Sequence, residues 1–239
     1  MRSTIKKIIP ENILRSLKNT FLKPYEPLYR RSYSQNGEDM ILDFIFRDVN
    51  KGFYVDVGAN NPKIQSNTQF FYEVGWNGIN IDALPGSMKS FNRQRPRDIN
   101  LEIPVFDSEK TLTFYVFQDS MYNTFSEEKA ETVPNKLVEK KELQTKTLSW
   151  ILEKYLKNKE IDFLTIDVES VDFHVLKSND WNKFRPKTVL FELLEHEIKS
   201  KEGQKMFDFM LEKGYHFYCN TPKNVFFIEN SFYKTRFLK

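Results

Sequence analysis

Residues 53–62 read FYVDVGANNP. Strand-forming residues run into a turn that carries one acid, Asp56, and one glycine, Gly58. A turn that wraps a pyrophosphate needs the three glycines of G-x-G-x-x-G, so that backbone amides close around the phosphates. Here two of them are missing, and a carboxylate stands where it would repel phosphate. The turn therefore favours a ligand with positive charge. Gly58 lets the backbone come close to that ligand, with the following amides pointing at it.

Outward from this turn, strands and helices alternate. Helix-type spacing over 39–46 precedes the strand at 53–57. A helix over 66–74, a strand over 78–81, a helix over 87–93 and a strand over 100–106 follow. That order is βαβαβ, the signature of a parallel sheet with helical crossovers. Residues 110–117 alternate as an extra strand, and 118–146 read as a long irregular loop of the kind that often serves as a lid. Thr147 caps a helix to 155. A buried-type strand at 161–166, a helix to 176, a strand at 188–191 and a helix over 204–213, stopped by Gly214, complete the alternation. Two last strands, 216–219 and 225–228, are joined by the turn NTPKN.

Composition agrees with one domain and an extension. The chain has 239 residues, with 22 phenylalanines and 11 tyrosines to fill a core. Its net charge of +3 is too small for a general nucleic-acid binder, so no nucleic-acid partner is expected. Residues 1–31 nevertheless hold eight Lys or Arg against Glu11 and Glu26. They are read as a basic helical lead-in, suited to a solvated helix or to peripheral contact with a membrane. The domain proper then spans 32–239. Cys219 is the one cysteine, which excludes an internal disulfide and suits a reducing cytoplasm. No signal peptide and no membrane-length apolar run is evident, and a cytoplasmic location, near the inner face of the membrane if the lead-in binds there, is expected.

The strand ends carry acids: Asp56, Asp82, Asp167 and Glu192. Each alone reads equally well as a helix cap. Together they read as a site, because open parallel sheets bind ligands outside the carboxyl ends of their strands. Asp82 lies 26 residues after Asp56. That is near the ~20-residue spacing at which an acid takes both ribose hydroxyls. The ligand expected is nucleoside-like, with a positive group in place of phosphates, and S-adenosylmethionine (SAM), with its ammonium and sulfonium, fits.

These stretches resemble the FkbM family of SAM-dependent methyltransferases. The resemblance rests on YSQNGEDMIL (33–42), GFYVDVGANNP (52–62), SNTQFFYEVGWNGINIDALPGSM (66–88), RPRDINLE (95–102), NTFS (123–126) and IDFLTIDVESVDFHVLKSNDW (161–181). It implies a Rossmann-like α/β fold, a seven-stranded mostly parallel sheet ending in an antiparallel hairpin. It implies that Asp56, Gly58 and Asn60 line the methionine end of SAM and that Asp82 holds the ribose. Gln35 and Glu38, with Gly37, would approach the cofactor. Ser66, Asn67 and Thr68 would open a helix whose N-terminal amides suit the methionine carboxylate. One departure stands out: the family usually reads DVEG where this chain has DVES, so Ser170 replaces a glycine, with a side chain able to cap the next helix and to narrow the acceptor pocket.

Methyl transfer is an in-line displacement that needs alignment and dryness. An alcohol acceptor also needs a base or a metal. Asp167, Glu169 and Glu192 are placed to hold Mg²⁺ or Mn²⁺ through oxygen ligands, or to bond a polyol directly with Asp167 or Glu169 as base. His196, four residues after Glu192, is a further base candidate. Asn123 and Thr124 are candidate acceptor contacts. The resemblance implies O-methylation of a small-molecule or glycan acceptor, such as a sugar of a bacterial capsule, O-antigen or other surface polysaccharide. N-methylation of a small amine or amide, and a SAM-fold binding module without turnover, are the alternatives.

Overall fold

The computed structural model describes residues 31–238. The basic lead-in expected over 1–31 therefore lies, apart from Arg31, outside the described residues.

Helix α1 (Glu38–Phe46) leads into β1 (Phe53–Val57), α2 (Gln69–Glu73), β2 (Asn77–Asp82), α3 (Met88–Gln94) and β3 (Ile99–Glu102). Then come β4 (Thr111–Phe117), a 3₁₀ turn (Ser120–Tyr122), α4 (Glu127–Thr132) and β5 (Leu137–Gln144). Helix α5 (Leu148–Tyr155), β6 (Phe163–Ile166), α6 (Asp172–Lys177), β7 (Thr188–Glu192) and α7 (Lys201–Glu212) follow. The chain closes with β8 (Tyr215–Asn220), β9 (Asn224–Glu229) and α8 (Asn230–Phe237).

Seven strands form one sheet in the order β3-β2-β1-β6-β7-β9-β8. The first five are parallel, while β9 runs antiparallel to β7 and to β8. This is the α/β sheet with a terminal antiparallel hairpin that the resemblance implies. Strand order reverses between β1 and β6, so the crevice for a ligand opens at their carboxyl ends.

The period of two along each strand sorts the core. Val55, Val57, Ile79, Ile81, Leu164, Ile166, Val189 and Phe191 face one layer, which α5, α6 and α7 cover. Tyr54, Phe163, Leu190, Phe226 and Ile228 face the other, with Leu42 and Ile45 of α1 and Phe71 of α2. Asp56 has the parity of Tyr54, and so have its partners across the sheet. Asn80 and Thr165 sit opposite Asp56 on β2 and β6, and Asn100 opposite Asn80 on β3. A polar row thus crosses four strands on the second face.

The structure departs from the expected elements in three places. The loop expected at 118–146 is largely ordered, because β5 pairs antiparallel with β4 in a separate two-stranded arm. The exposed, Lys- and Glu-rich pattern of β5 hid it, since a strand with two solvated sides lacks alternation. The first crossover helix starts at Gln69 and has five residues, not the nine of 66–74. Helix α8 follows β9 directly, capped by Glu229, and was not foreseen.

Candidate active site

A cavity of about 270 Å³ opens at the carboxyl ends of β1, β2 and β6. Asp56, Gly58, Asn60, Asp82, Asp167 and Glu169 line it, as do Gln35, Ser66, Asn67 and Asn123. Glu38, Thr68, Thr124, Glu192 and His196 do not. None of the four acids Asp56, Asp82, Asp167 and Glu192 caps a helix.

On the β1–β2 side, the turn after β1 is tied to the end of β2. The Gly58 and Ala59 amides both donate to the Ile81 carbonyl (2.9 and 3.0 Å), and the Asn60 amide donates to Asp82 Oδ2 (3.1 Å). The turn's amides are therefore spent within the protein and do not point at a ligand, contrary to the expectation. Gly58 is needed for a different reason. At φ +87°, a Cβ here would lie 1.7 Å from the Asp167 carbonyl oxygen. The glycine lets the ends of β1 and β6 close on each other.

Asp56 accepts from Thr68 Oγ1 (2.8 Å) through Oδ2. Burial pushes its carboxyl up to about 6, with the Thr68 bond and the Arg95 charge pulling the other way. Asp82 accepts from the Leu84 amide (2.8 Å) and the Asn60 amide, and burial raises it too. The helix N-terminus expected to take a carboxylate is already satisfied: the Thr68 and Gln69 amides bond Ser66 Oγ (3.3 and 3.2 Å). Thr68 is fully buried behind the wall, where it orients Asp56 instead of touching a ligand. Asn67 is held by a bond to Thr165 (3.0 Å), and Asn60 Oδ1 accepts from Ser120 of the 3₁₀ turn (2.8 Å).

On the β6–β7 side, carboxylate oxygens of Asp167, Glu169 and Glu192 lie within 4.8 Å of one another. Asp167 is exposed to the cavity, yet the protein packed around it, with Glu192 and Glu169 beside it, holds its carboxyl well above the usual range. Burial and the neighbouring Glu169 push Glu192 up to about 7. Burial also raises Glu169, against the pull of Lys129 Nζ at 3.4 Å. Lys223, on the turn between β8 and β9, adds positive charge at the rim and lines the cavity. With two lysines beside it, the trio already has cationic company; its oxygen donors would suit a divalent ion.

Several expected residues take other places. Glu38 is fully buried and accepts from Thr221 Oγ1 (2.8 Å) and Asn224 Nδ2 (3.2 Å), so it anchors the turn that carries Lys223. Thr124 is also fully buried and donates to the Glu169 carbonyl (2.7 Å). Asn123 lines the cavity but also accepts from the Phe117 amide (2.8 Å). His196 is exposed in a neighbouring depression with Lys199, Pro222 and Lys223, and does not line the cavity with the acids it was expected to join. Ser170 has φ +76° and neither caps α6 nor lines the cavity.

Residues 56–217 match the family model of the methyltransferase FkbM domain. The chain belongs to that family. Its general activity is SAM-dependent methyl transfer. A search of curated proteins gave no match. Among solved structures, a candidate RNA methyltransferase from Pyrococcus horikoshii aligns over 90% of this chain and 98% of its own, at 9% identity and a TM-score of 0.44. A TehB-like SAM-dependent methyltransferase from Corynebacterium glutamicum aligns over 92% and 97%, at 8% identity and 0.38. A precorrin-6y C5,15-methyltransferase from Geobacter metallireducens aligns over 86% and 94%, at 9% and 0.40.

The donor set of this FkbM protein fits SAM. Each Asp82 oxygen accepts one backbone amide and keeps a lone pair for a ribose hydroxyl. Asp56 Oδ1 is left for an ammonium, since Thr68 occupies Oδ2. Ile81, Ala83, Leu84, Ile103 and Val105 supply an apolar wall for a purine. The spent amides of the 58–60 turn leave nothing to bind a pyrophosphate. Sequence reasoning missed Arg95, Lys129 and Lys223. Each looks like an ordinary surface cation in the sequence, and only the fold reveals that Arg95 is buried and that both lysines reach the acids.

Proposed function

We propose that this protein O-methylates a sugar hydroxyl of a surface polysaccharide or of its nucleotide- or lipid-linked precursor. The observation that carries the proposal is the carboxylate trio at the acceptor end of the cavity, with all three groups raised toward neutrality. A base with a raised pKa is better matched to an alcohol than an ordinary carboxylate is. SAM supplies an electrophilic methyl group when bound. Asp167 faces the cavity and takes the proton of the attacking hydroxyl oxygen. Glu192 lies behind it and shares that proton, so the two titrate as a pair. Glu169, fixed by Lys129, and Asn123 bond neighbouring hydroxyls of the sugar. Phe114, Phe125 and Met121 also line the cavity and keep water out. The same trio offers oxygen ligands to Mg²⁺ or Mn²⁺, and added chelator tests that role.

The polysaccharide class is supported by the family likeness, and the net charge of the lead-in suits work beside a membrane or a phosphate-linked sugar. Among the described residues, no helix is long and apolar enough to cross a membrane. The test offers the purified protein SAM with matched panels of free sugars, nucleotide-linked sugars and primary amines, and locates the new methyl group by mass spectrometry. A methyl ether on a sugar is expected. Methylation of the amines alone would overturn the proposal.

A further inference from the structure

Arg95 is fully buried, and the fork of its guanidinium is used completely. Nε donates to Gln69 Oε1 (3.3 Å). Nη1 donates to Thr68 Oγ1 (2.7 Å) and Asn80 Oδ1 (3.4 Å). Nη2 donates to Ser66 Oγ (2.9 Å) and to the Pro62 carbonyl. None of these acceptors is a carboxylate. A buried guanidinium normally sits against one, because leaving the charge unpaired costs several kcal/mol. Here one neutral side chain stands between Arg95 and each nearby acid. Thr68 relays it to Asp56, and Asn80, donating to Asp98 Oδ2 (2.9 Å), relays it to Asp98.

The relay to Asp56 is directional. Thr68 has one hydroxyl proton. Arg95 donates to Thr68 Oγ1, so that proton is left for Asp56 Oδ2. The second carboxylate oxygen, Oδ1, then keeps its lone pairs on a side chain that lines the cavity. The same guanidinium pins Pro62 and Ser66, the two ends of the loop that borders the cavity beside Asn67.

Building on the assignment of SAM to this cavity, we propose that Arg95 is a positioning residue for the aminoacyl end of the cofactor. From behind the wall it fixes Thr68 and the 62–66 loop in the one arrangement that presents Asp56 to an ammonium. Arg95 touches no ligand. Its reach is local: the ribose partner Asp82 is held by the Leu84 and Asn60 amides and makes no bond to it.

That locality gives the test. S-adenosylhomocysteine carries the ammonium, and 5′-methylthioadenosine shares its nucleoside but lacks the aminoacyl end. Calorimetry measures both ligands on the full chain, on Arg95→Met and on Thr68→Val, which removes only the relaying hydroxyl. S-adenosylhomocysteine should bind about 10- to 100-fold more weakly to Arg95→Met and about 10-fold more weakly to Thr68→Val. Methylthioadenosine should bind all three within about twofold, because its contacts lie on the unperturbed side. Parallel loss of both ligands in Thr68→Val would reduce Arg95 to a structural role and overturn the proposal, even if Arg95→Met did not fold. Wild-type protein that binds neither ligand would instead remove the cofactor assignment beneath it.

Discussion

The two ends of the cavity are both acidic, but they are built by opposite means. Asp56 and Asp82 are held by neutral donors, a hydroxyl and backbone amides, on regular strands. Asp167, Glu169 and Glu192 crowd one another, are offset by Lys129 and Lys223, and include a residue on strained backbone, Glu169 at φ +54°. Neutral donors fix a carboxylate without neutralising it, which suits capture of a cation. Burial raises the carboxyls at both ends, and repulsion from neighbouring carboxylates adds to it at Asp167 and Glu192, which suits groups that must take up a proton. On the proposed function, one end binds and the other reacts.

The sharpest way to break that contrast is to remove one carboxylate from each end. Asp167→Asn should lower kcat by about 10²- to 10⁴-fold, the usual worth of a positioned base, and leave SAM affinity within about threefold. Asp82→Ala should do the reverse, weakening SAM about 10- to 100-fold as two charged hydrogen bonds are lost, with a smaller effect on kcat. Calorimetry and single-turnover rates on both variants decide it. If Asp167→Asn turns over normally, the reactive end is misassigned.

The acids should also part in pH. An ammonium pairs with ionised Asp56, so SAM affinity should fall as pH drops through about 6. The Asp167–Glu192 pair must be able to accept a proton, so kcat/KM should fall as pH drops through about 7. Burial raises Asp56 from 3.8, so its ionisation opposes folding. Its contribution to stability is fully present below about 4 and is lost as pH rises through about 6. Asp56→Asn should therefore flatten the fall in unfolding free energy across that window, as urea denaturation at successive pH values would show.

The acids of both ends were legible in sequence, and the groups that hold them were not. Asp56 and Asp82 follow apolar strands whose period and length announce a parallel sheet, so their place at its carboxyl edge comes with the fold. Arg95 was invisible because it ends a helix beside Arg93 and Arg97, where a solvated cation is the ordinary case. Lys223 reaches the acids only through the pairing of β9 with β7, and Lys129 only through the arm formed by β4 and β5. Neither pairing has a local signal. His196 failed for a related reason: four residues from Glu192 is close along the chain, but the segment after β7 leads into an exposed depression.

The mildest test touches the backbone of the reacting end. Ser170 occupies φ +76°, next to Glu169 at φ +54°. A side chain in that left-handed region costs about 1–2 kcal/mol, which glycine avoids. Glycine gives back about 0.5–1 kcal/mol through the greater freedom of the unfolded chain. Ser170 is exposed and its side chain caps nothing, so no hydrogen bond offsets the strain. Ser170→Gly should then stabilise the protein by about 0.5–1 kcal/mol, a rise of about 1–4 °C in Tm for a domain of this size. Since Ser170 lies off the cavity, kcat should stay within about twofold. A lower Tm would mean that the hydroxyl has a stabilising role, and a large change in kcat would mean that the strain itself sets the position of Glu169.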